Sequence, residues 1–350
     1  MIFFLLIILT LGYQFFYRTA LFPKEIIQID QNSSDPLLIL SSPLHIIGNT
    51  SLSFVASSGN GTKNNPYIIE NLTINGMGIE ECIKIEDTTA YSIVRNCFTF
   101  NGTYGIHLKN VVNSILHNNT VKLNKEGIIL FDSRDNIISE NIVTLNNVTG
   151  ISLLNSNNNT FLKNNASYNF LTGIFCISST KNKFLENIMV NNSWYGLRLF
   201  NSNNTEIIRN NMSYNEIGIS LGNSNNNTLL DNFIINNTVG IYVDGSNKNI
   251  IQNNHINANK IKGIYLYNSN YNTIIYNKFI HNGQAIVEEP NCVGNIIKDN
   301  TIIDGNGDGI PGFSYLFVLI AVSSLIFLLK YWKEKINVQI SVYVSKSEQT

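Results

Sequence analysis

Residues 218–239 read GISLGNSNNNTLLDNFIINNTV, and residues 240–262 repeat the pattern as GIYVDGSNKNIIQNNHINANKIK. In both stretches a Gly-Ile pair opens an alternation of apolar residues, which is followed by an Asn-rich turn and further apolar positions. The alignment extends in both directions with a unit of 22 or 23 residues. The units begin at Cys82, Gly105, Gly127, Gly150, Gly173, Gly196, Gly218, Gly240, Gly263 and Ile286. A fixed period of this length is typical of a solenoid of stacked repeats.

Particular positions of the unit are apolar in every repeat. One residue after each start stand Ile83, Ile106, Ile128, Ile151, Ile174, Leu197, Ile219, Ile241, Ile264 and Val287. Eleven residues after it stand Ile93, Leu116, Ile138, Phe161, Phe184, Ile207, Leu229, Ile251, Ile274 and Ile297. Apolar columns also follow three and sixteen residues after the start, where the first unit has Ile85 and Phe98. Columns one and three are two residues apart, which is the period of a strand.

Asparagine forms two further columns. Fourteen and nineteen residues after the starts stand Asn96, Asn119, Asn141, Asn164, Asn187, Asn210, Asn232, Asn254, Asn277 and Asn300, and Asn101, Asn124, Asn146, Asn169, Asn192, Asn215, Asn237, Asn259 and Asn282. Asparagine tolerates the left-handed backbone of tight corners, and in-register amides form hydrogen-bonded ladders. We interpret both columns as structural, with Asn71 as an earlier ladder member, and the N-S-N-N-N-T segments as turns.

Together the columns predict an all-β fold, a right-handed parallel β-helix over residues 44–305. It has about ten or eleven rungs, which share one continuous core because each rung is too thin to have its own. Residues 44–59 are expected to cap its N-terminal end, since the open edge of a solenoid must be covered.

The repeated G-I-x-L-x-N-S-x-N-N-T-I-x-x-N unit, preceded by Gly61 and by Pro66–Glu70 (PYIIE), resembles the NosD-type right-handed parallel β-helix family. These proteins are also described as carbohydrate-binding and sugar-hydrolase-like repeat proteins. The resemblance implies the fold but leaves the activity open, since this architecture carries lyases, hydrolases, epimerases and non-catalytic surface proteins. The family name implies copper handling, which needs clustered Cys, Met or His. Cys176, Met189 and Met212 instead occupy apolar columns.

The N-terminal end of the chain is apolar. Residues 1–22 are predicted to be a signal peptide or an uncleaved signal anchor, and residues 23–43 a polar spacer.

At the other end, residues 306–312 are predicted to be a short linker and residues 313–332 a transmembrane helix, because the apolar run is long enough to cross a bilayer. The lysines that follow favour a cytoplasmic tail at residues 333–350, with the β-helix outside the cell membrane. Pro311, Gly312 and Phe313, followed by the apolar run and lysines, also resemble the archaeal PGF-type surface-anchoring signal. That resemblance implies cleavage and lipid attachment.

Composition excludes some partners and motifs. The net charge is −1 and no large basic cluster occurs, so a nucleic-acid partner is not expected. The four cysteines form no C-x-x-C pair, which excludes zinc-knuckle and thioredoxin-like redox motifs.

No catalytic residue is predicted. The chain has neither an Asp-Asp pair nor a Gly-His-Gly motif. His107, His117, His255 and His281 occupy different positions of the unit, where a surface histidine is the default interpretation. Thirteen residues after the starts stand Arg95, Asn118, Glu140, Lys163, Glu186, Arg209, Asp231 and Asn253. We interpret this column as an ionic ladder, whose exposed pairs are each worth about 0–1 kcal/mol.

An aromatic stripe occupies outward positions of the first strand in each unit. It comprises Phe131, Phe175, Phe200, Tyr242, Tyr265 and Tyr267, with aliphatic residues between them. Exposed apolar patches of this extent usually mark an interaction site, and aromatic faces suit sugar rings or another protein. Alternatively, a loop or the 23–43 segment covers the stripe.

Other candidate sites are weaker. Asp304, Asn306 and Asp308 match the first half of a calcium loop, but Tyr315 stands where the final acidic ligand belongs, so a flexible spacer is favoured. No cofactor is otherwise predicted. Outward-facing N-x-S/T sequons make glycosylation candidates of Asn158, Asn165, Asn203, Asn211 and Asn226.

The sequence therefore favours a membrane-anchored cell-surface β-helix that binds glycans or partner proteins without catalysis. The alternative is a polysaccharide lyase, hydrolase or epimerase on the same fold. A copper-processing accessory protein is the weakest hypothesis.

Overall fold

The structure is a computed structural model that describes residues 39–303. The chain forms a parallel β-helix in which every named strand pairs with the strand one rung away. Three sheets run along it. The first sheet consists of Leu44–Ile47, Ile83–Thr88, Tyr104–Val111, Glu126–Phe131, Thr149–Leu154, Thr172–Ile177, Tyr195–Phe200, Ile217–Gly222, Val239–Asp244, Lys262–Tyr267 and Gln284–Glu288.

The second sheet also has eleven strands. They are Tyr67–Glu70, Ser92–Arg95, Ser114–His117, Ile137–Ser139, Thr160–Leu162, Lys183–Leu185, Glu206–Ile208, Thr228–Leu230, Ile250–Gln252, Thr273–Ile275 and Ile296–Lys298. The third sheet consists of two five-stranded pieces. They are Ile39–Ser41, Leu72–Asn75, Phe98–Phe100, Thr120–Lys122 and Ile142–Thr144, and Asn211–Ser213, Phe233–Ile235, His255–Asn257, Lys278–Ile280 and Thr301–Ile303. Single bridges at Asn165 and Ile188 join the pieces. The predicted all-β solenoid is confirmed.

The apolar columns form one core. Ile207 lies directly opposite Leu229 in the second sheet, and Ile219 opposite Ile241 in the first. All four side chains are fully buried. Phe161 and Phe184 stack in the same core with ring centroids 4.9 Å apart. Burying an aliphatic side chain of this size contributes roughly 1.5–3 kcal/mol, so the repeated columns supply the main stabilising term.

Buried polar ladders border the core. Asn141 shows the bonding pattern: its Nδ2 donates to Asn164 Oδ1 at 2.9 Å and to the Leu116 carbonyl at 2.9 Å, and its backbone N–H donates to Asn164 Oδ1 at 3.0 Å. Both predicted asparagine columns form such ladders. Two further ladders arise within the N-S-N-N-N-T segments, where Ser156 and Asn159 are buried and bond to the equivalent residues of the next rung. The sequence predicted these two positions as turn residues and not as ladder residues.

The left-handed corner residues differ from those predicted. The residue before each first-column ladder asparagine from Asn119 to Asn254 has a positive φ, between 51° and 56°. These residues are Asn118, Glu140, Lys163, Glu186, Arg209, Asp231 and Asn253. The ladder asparagines themselves do not have a positive φ, because their amides must point inward. The predicted ionic ladder therefore consists of left-handed corner residues, most of them exposed.

The first complete rung is displaced by one residue from its prediction. Val94, Cys97, Thr99 and Gly102 occupy the inward positions that had been assigned to Ile93, Asn96, Phe98 and Asn101. The extra residue lies in the turn between Thr88 and Ser92. Asn49 Oδ1 holds this turn by accepting hydrogen bonds from Thr88 Oγ1 and from the backbone of Thr89 and Ala90.

The last rung shows the opposite displacement. Ile286, not Val287, lies opposite Ile264, and Val287 points outward beside Tyr265. The corner before this strand is one residue shorter than in the previous rung. Gly283 and Lys260 make equivalent hydrogen bonds, to Asn259 and Asn237, but Gln284 follows Gly283 directly, whereas Ile261 separates Lys260 from the strand that begins at Lys262.

The β-helix begins before the predicted boundary at residue 44. Ile39–Ser41 pairs with Leu72–Asn75, so these residues belong to the third sheet and not to the predicted spacer. The helix Gly48–Val55 lies against the first rung and buries Leu52 completely. Asn71 is exposed in a left-handed turn and is not the inaccessible ladder member that was predicted.

The remaining predictions for the chain ends concern residues outside the described range. They are the signal segment at 1–22, most of the 23–43 spacer, the linker at 306–312, the apolar segment at 313–332, the tail at 333–350 and the PGF-type motif. Among residues 39–303, no helix has the length and apolarity needed to cross a membrane.

Candidate functional site

The outer face of the first sheet carries two files of side chains that follow the strand register. The first file runs Lys84, His107, Ile129, Ser152, Phe175, Arg198, Ser220, Tyr242, Tyr265 and Val287. The second file runs Glu86, Lys109, Phe131, Leu154, Ile177, Phe200, Gly222, Asp244 and Tyr267. Side chains one rung apart in a file are direct neighbours, because parallel strands lie about 4.8 Å apart.

The six predicted stripe residues all lie in these files. Phe175, Tyr242 and Tyr265 belong to the first file, and Phe131, Phe200 and Tyr267 to the second. Tyr267 is 40% exposed and the other five are half-buried, so each keeps accessible surface. Polar residues such as Arg198 and Asp244 interrupt the stripe, which the prediction did not anticipate.

An aromatic group surrounds Arg198 at the middle of this face. The guanidinium carbon lies 4.8 Å from the ring centre of Tyr195, 5.3 Å from that of Phe175 and 5.8 Å from that of Phe200. Trp194 extends the group by stacking on Tyr195 with centroids 5.6 Å apart and planes 5° apart. Cation–π contacts of this kind hold a guanidinium in place while leaving its N–H groups available.

A tyrosine group follows toward the C-terminal end of the face. The rings of Tyr242 and Tyr265 stack with centroids 5.3 Å apart, and Lys262 Nζ lies 3.1 Å from the Tyr265 ring centre. Burial, reinforced by Asp244, raises the pKa of Tyr242 to about 12. Both rings are therefore neutral donors at physiological pH. Tyr265 Oη donates to Glu289 Oε1 at 2.9 Å.

An ion cluster lies at the N-terminal end of the same face. Glu86 accepts hydrogen bonds from Lys109 Nζ at 2.8 Å and His45 Nε2 at 2.7 Å, and Lys84 Nζ lies 2.8 Å from it. The hydrogen bonds from Lys109, Lys84 and His45 hold the pKa of Glu86 well below its usual range. Glu86 is thus a fixed anion shared by Lys84, Lys109 and His45, and the arrangement is structural in character.

Beside this cluster lies a histidine whose environment the sequence did not reveal. His107 is only 8% exposed, which contradicts its interpretation as a surface residue. Its Nδ1 lies 3.1 Å from Glu81 Oε2; the carboxylate only accepts, so Nδ1 carries the proton. Burial lowers the pKa of His107 despite Glu81, and Nε2 is a buried acceptor that no described residue satisfies.

Two further titratable groups lie on this part of the face, Tyr104 against His107 and Glu126 one rung from Tyr104. Tyr104 contacts His107 edge to face with centroids 5.3 Å apart, and burial raises the pKa of Tyr104. Glu126, one rung from Tyr104, accepts a hydrogen bond from Ser152 Oγ at 3.0 Å. Burial also raises the pKa of Glu126. An imidazole of lowered pKa and a carboxyl group of raised pKa on one face are group types that serve as general acids and bases.

The charged corner file contains real ion pairs. Glu186 lies 2.9 Å from Arg209 Nη2 and 3.8 Å from Lys163 Nζ, one rung to either side. Arg95 does not join the file; it pairs with Glu70 at 2.8 Å because of the displaced register.

The glycosylation candidates are distributed over several corners and faces. Asn158 and Asn226 are exposed, whereas Asn165, Asn203 and Asn211 are half-buried. Asn158 donates to Asp135, and Asn203 Oδ1 accepts the Asn225 N–H at 2.6 Å. The calcium candidates Asp304, Asn306 and Asp308 lie outside the described residues.

The sequence model of the family described as "Periplasmic copper-binding protein (NosD)" matches residues 24–195 and 189–308. The chain belongs to the NosD family. None of the curated proteins matches it by sequence.

Several solved structures share the fold of this NosD-family protein. The A-module of the mannuronan C-5 epimerase AlgE4 from Azotobacter vinelandii matches with a TM-score of 0.55 and 14% identity over 67% of this chain and 79% of that chain. The AlgE6 A-module from the same organism matches with a TM-score of 0.54 and 12% identity over 76% and 81%. The Dettilon tailspike protein matches with a TM-score of 0.55 and 18% identity over 74% and 59%. At these identities the likeness establishes the parallel β-helix alone.

The copper chemistry implied by the NosD description does not fit the described residues. Cys82, Cys97 and Cys176 are buried in the core, as are Met189 and Met212. Burial raises the pKa of Cys82 and of Cys97 to about 11, which disfavours the thiolate that binds metal. Within residues 39–303, no three His, Cys, Asp or Glu side chains are grouped to hold a metal ion.

Proposed function

We propose that this protein binds a polysaccharide along the outer face of its first sheet. The observation that carries the proposal is the Arg198 group, in which Phe175, Tyr195 and Phe200 surround a guanidinium on an accessible sheet face. Aromatic faces and edge-exposed N–H donors are complementary to sugar rings and their hydroxyl groups. The rigid stack of rungs presents these groups in a line, which suits an extended chain ligand.

A glycan array with the full-length protein tests the proposal, run with and without Ca²⁺ so that a contribution from Asp304, Asn306 and Asp308 is also seen. The combined substitution Phe175→Ser, Phe200→Ser and Tyr242→Ser is expected to abolish binding. The control combines Phe233→Ser and Ile250→Ser, which remove exposed apolar side chains from the other two sheets. Binding that survives the first change, or is lost with the control, sinks the proposal. If a cell-surface protein binds through the same stripe and no glycan does, the ligand class is wrong.

A second candidate function, modification of the bound polysaccharide, is supported by one observation. The unsatisfied Nε2 of His107 lies with Tyr104 and Glu126 on the same face as the aromatic groups. The array assay should therefore also score chain cleavage and the sugar composition of recovered glycan. Turnover that is lost on His107→Gln supports catalysis, and unchanged glycan with wild-type protein excludes it for the sugars tested.

We also propose that the protein is held at the cell membrane with its β-helix outside. The support is the pair of apolar segments near the chain ends and the lysines after the second one. Protease added to intact cells should then remove the β-helix and leave a short C-terminal fragment. Complete protection of the β-helix would contradict the proposed orientation. In an external location, Asn158 and Asn226 are the sequons we expect to carry glycans, because both side chains are exposed.

A further inference from the structure

Arg198 differs from the other arginines of the described chain in its partners. Arg95 pairs with Glu70, Arg134 with Asp135 and Arg209 with Glu186. Arg198 has cation–π contacts but, among residues 39–303, neither an ion pair nor a hydrogen bond from its guanidinium. It is a half-buried cation whose charge no carboxylate of the described chain balances.

The register explains why Arg198 has no anionic partner. Its neighbours in the first file are Phe175 and Ser220, and the adjoining residues of the second file are Ile177, Phe200 and Gly222. Those positions hold no acidic residue. The carboxylates of this face lie elsewhere, with Glu81, Glu86 and Glu126 at the N-terminal end, Asp244 two rungs beyond Arg198 and Glu289 beside Tyr265.

The aromatic surroundings restrict what the guanidinium can still bind. The three rings make cation–π contacts with the guanidinium, but its five N–H groups lie in its plane and still need acceptors. A guanidinium is weakly hydrated and matches a carboxylate bidentately, with two parallel N–H···O bonds. The flanking rings would strengthen that pairing, because they displace water from around the charge.

A second cation without an acidic partner lies on the same face. Lys262 rests on the Tyr265 ring and forms no ion pair with a described residue. It is three rungs from Arg198 along the sheet, which corresponds to about 14 Å at the strand spacing. The two cations lie along the line on which an extended ligand would lie, with Asp244 in the second file between their rungs.

We infer that Arg198 binds a carboxylate of an acidic polysaccharide, so that the ligand of this face is a polyuronate and not a neutral glycan. The inference rests on the proposed glycan-binding function and names the chemical class of its ligand. The tyrosine group and Lys262 would contact a second portion of the same chain.

The experiment measures dissociation constants of the full-length protein for three kinds of probe. They are a panel of oligouronates, their carboxyl-reduced neutral counterparts, and a sulfated dextran of matched length. Arg198→Met keeps an apolar stem among the rings but removes the charge, and Arg198→Lys keeps the charge but loses the planar fork. Arg134→Met is the control, because Arg134 is exposed at a corner outside this face. Thermal unfolding of each variant verifies the fold.

Wild-type protein should bind an oligouronate more tightly than its neutral counterpart. Arg198→Met should weaken the oligouronate about 10- to 100-fold and the neutral glycan by a much smaller factor, because only the acidic ligand loses a charge-assisted hydrogen bond. Arg198→Lys should lie between, and Arg134→Met should match wild type. Equal binding of acidic and neutral glycans by wild type, or unchanged oligouronate binding by Arg198→Met, overturns the inference while the glycan-binding function stands. A sulfated dextran that binds more tightly than every oligouronate overturns the carboxylate assignment. Absence of binding to any probe overturns both.

Discussion

Asn146 and Asn169, one rung apart, are joined by two hydrogen bonds to a single oxygen atom. Asn169 Oδ1 accepts the Asn146 backbone N–H at 3.1 Å and its Nδ2 at 3.0 Å. Asn146 Oδ1 serves Asn124 in the same way, at 3.1 and 3.3 Å. Each ladder amide therefore satisfies the backbone donor of the rung before it, which no strand pairing provides at the corner.

Replacement of one ladder amide should be costly. Asn146→Ala leaves the backbone N–H of Asn124 without an acceptor in a buried place, and Asn124 Nδ2 keeps only the Thr99 and Lys122 carbonyls. Since an unsatisfied buried group costs about 1–3 kcal/mol, we expect the free energy of unfolding to fall by that amount. Asn147→Ala is the matched control, because the adjacent side chain is exposed and its loss should change stability by less than about 0.5 kcal/mol. Urea unfolding measures both, and equal stabilities of the two variants would contradict a ladder role.

A glycine column sets the distance between rungs. A Cβ on Gly173 would lie 2.7 Å from the Gly196 carbonyl oxygen and 2.8 Å from that of Ala166. Because both obstacles are backbone atoms, Gly173→Ala should force the rungs apart and lower the melting temperature by several degrees, on the scale of about 1–3 kcal/mol. Gly222→Ala is the control, since its Cβ would meet the Phe200 ring at 3.0 Å and the nearest backbone atom, the Leu199 carbonyl oxygen, only at an ordinary 3.8 Å. A smaller loss for Gly173→Ala than for Gly222→Ala would show that the rungs can separate without cost.

The apolar and asparagine columns were predictable because the same residue types recur at the same positions of every repeat. Ile207 and Leu229 stack as expected, as do Asn141 and Asn164. The displaced first rung was not predictable, since one extra residue in the turn before Ser92 is held by Asn49, some forty positions away. A prediction from repeat spacing does not include a contact between Asn49 and a distant turn.

The candidate site was only partly predictable, because the predicted stripe included only the aromatic and aliphatic residues at outward positions. Selecting aromatic and aliphatic members of the outward positions found Phe175 and Tyr242 but passed over Arg198, which occupies the same file between them. Arg198 belongs to the site only when the polar residues of the file are considered together with the apolar ones. The missing ion pair of Arg198 and the burial of His107 depend on side-chain conformation, which the repeat pattern does not specify.

The ion cluster around Glu86 should make stability depend on acid pH. Folding lowers the pKa of Glu86 through hydrogen bonds from Lys109, Lys84 and His45. A carboxylate of lowered pKa stabilises the folded state above its unfolded pKa of about 4.3, and this contribution is lost as the pH falls toward the folded pKa. The free energy of unfolding of wild type should therefore fall more steeply between about pH 5 and pH 2 than that of Glu86→Gln.

At pH 7 the same variant should be less stable than wild type by about 1–3 kcal/mol, because Lys84, Lys109 and His45 lose their shared partner. The two stability curves should converge in acid. Glu216→Gln, which changes an exposed carboxylate, should follow wild type throughout. Urea unfolding over a series of pH values gives the comparison, and parallel curves for wild type and Glu86→Gln would show that the cluster does not contribute.

The four cysteines should differ in reactivity. Cys82, Cys97 and Cys176 are buried and burial raises the pKa of each, whereas Cys292 is half-buried in the last described rung. Since the thiolate is the reactive form, iodoacetamide at pH 8 should modify Cys292 alone in the native protein and all four after unfolding. Mass spectrometry counts the adducts, and Cys292→Ser should abolish native labelling. Fast native modification of Cys82 or Cys97 would mean that the first rungs open in solution. Their thiols would then be accessible, and Cys82 and Cys97 would become candidate ligands for the copper that the NosD family name implies.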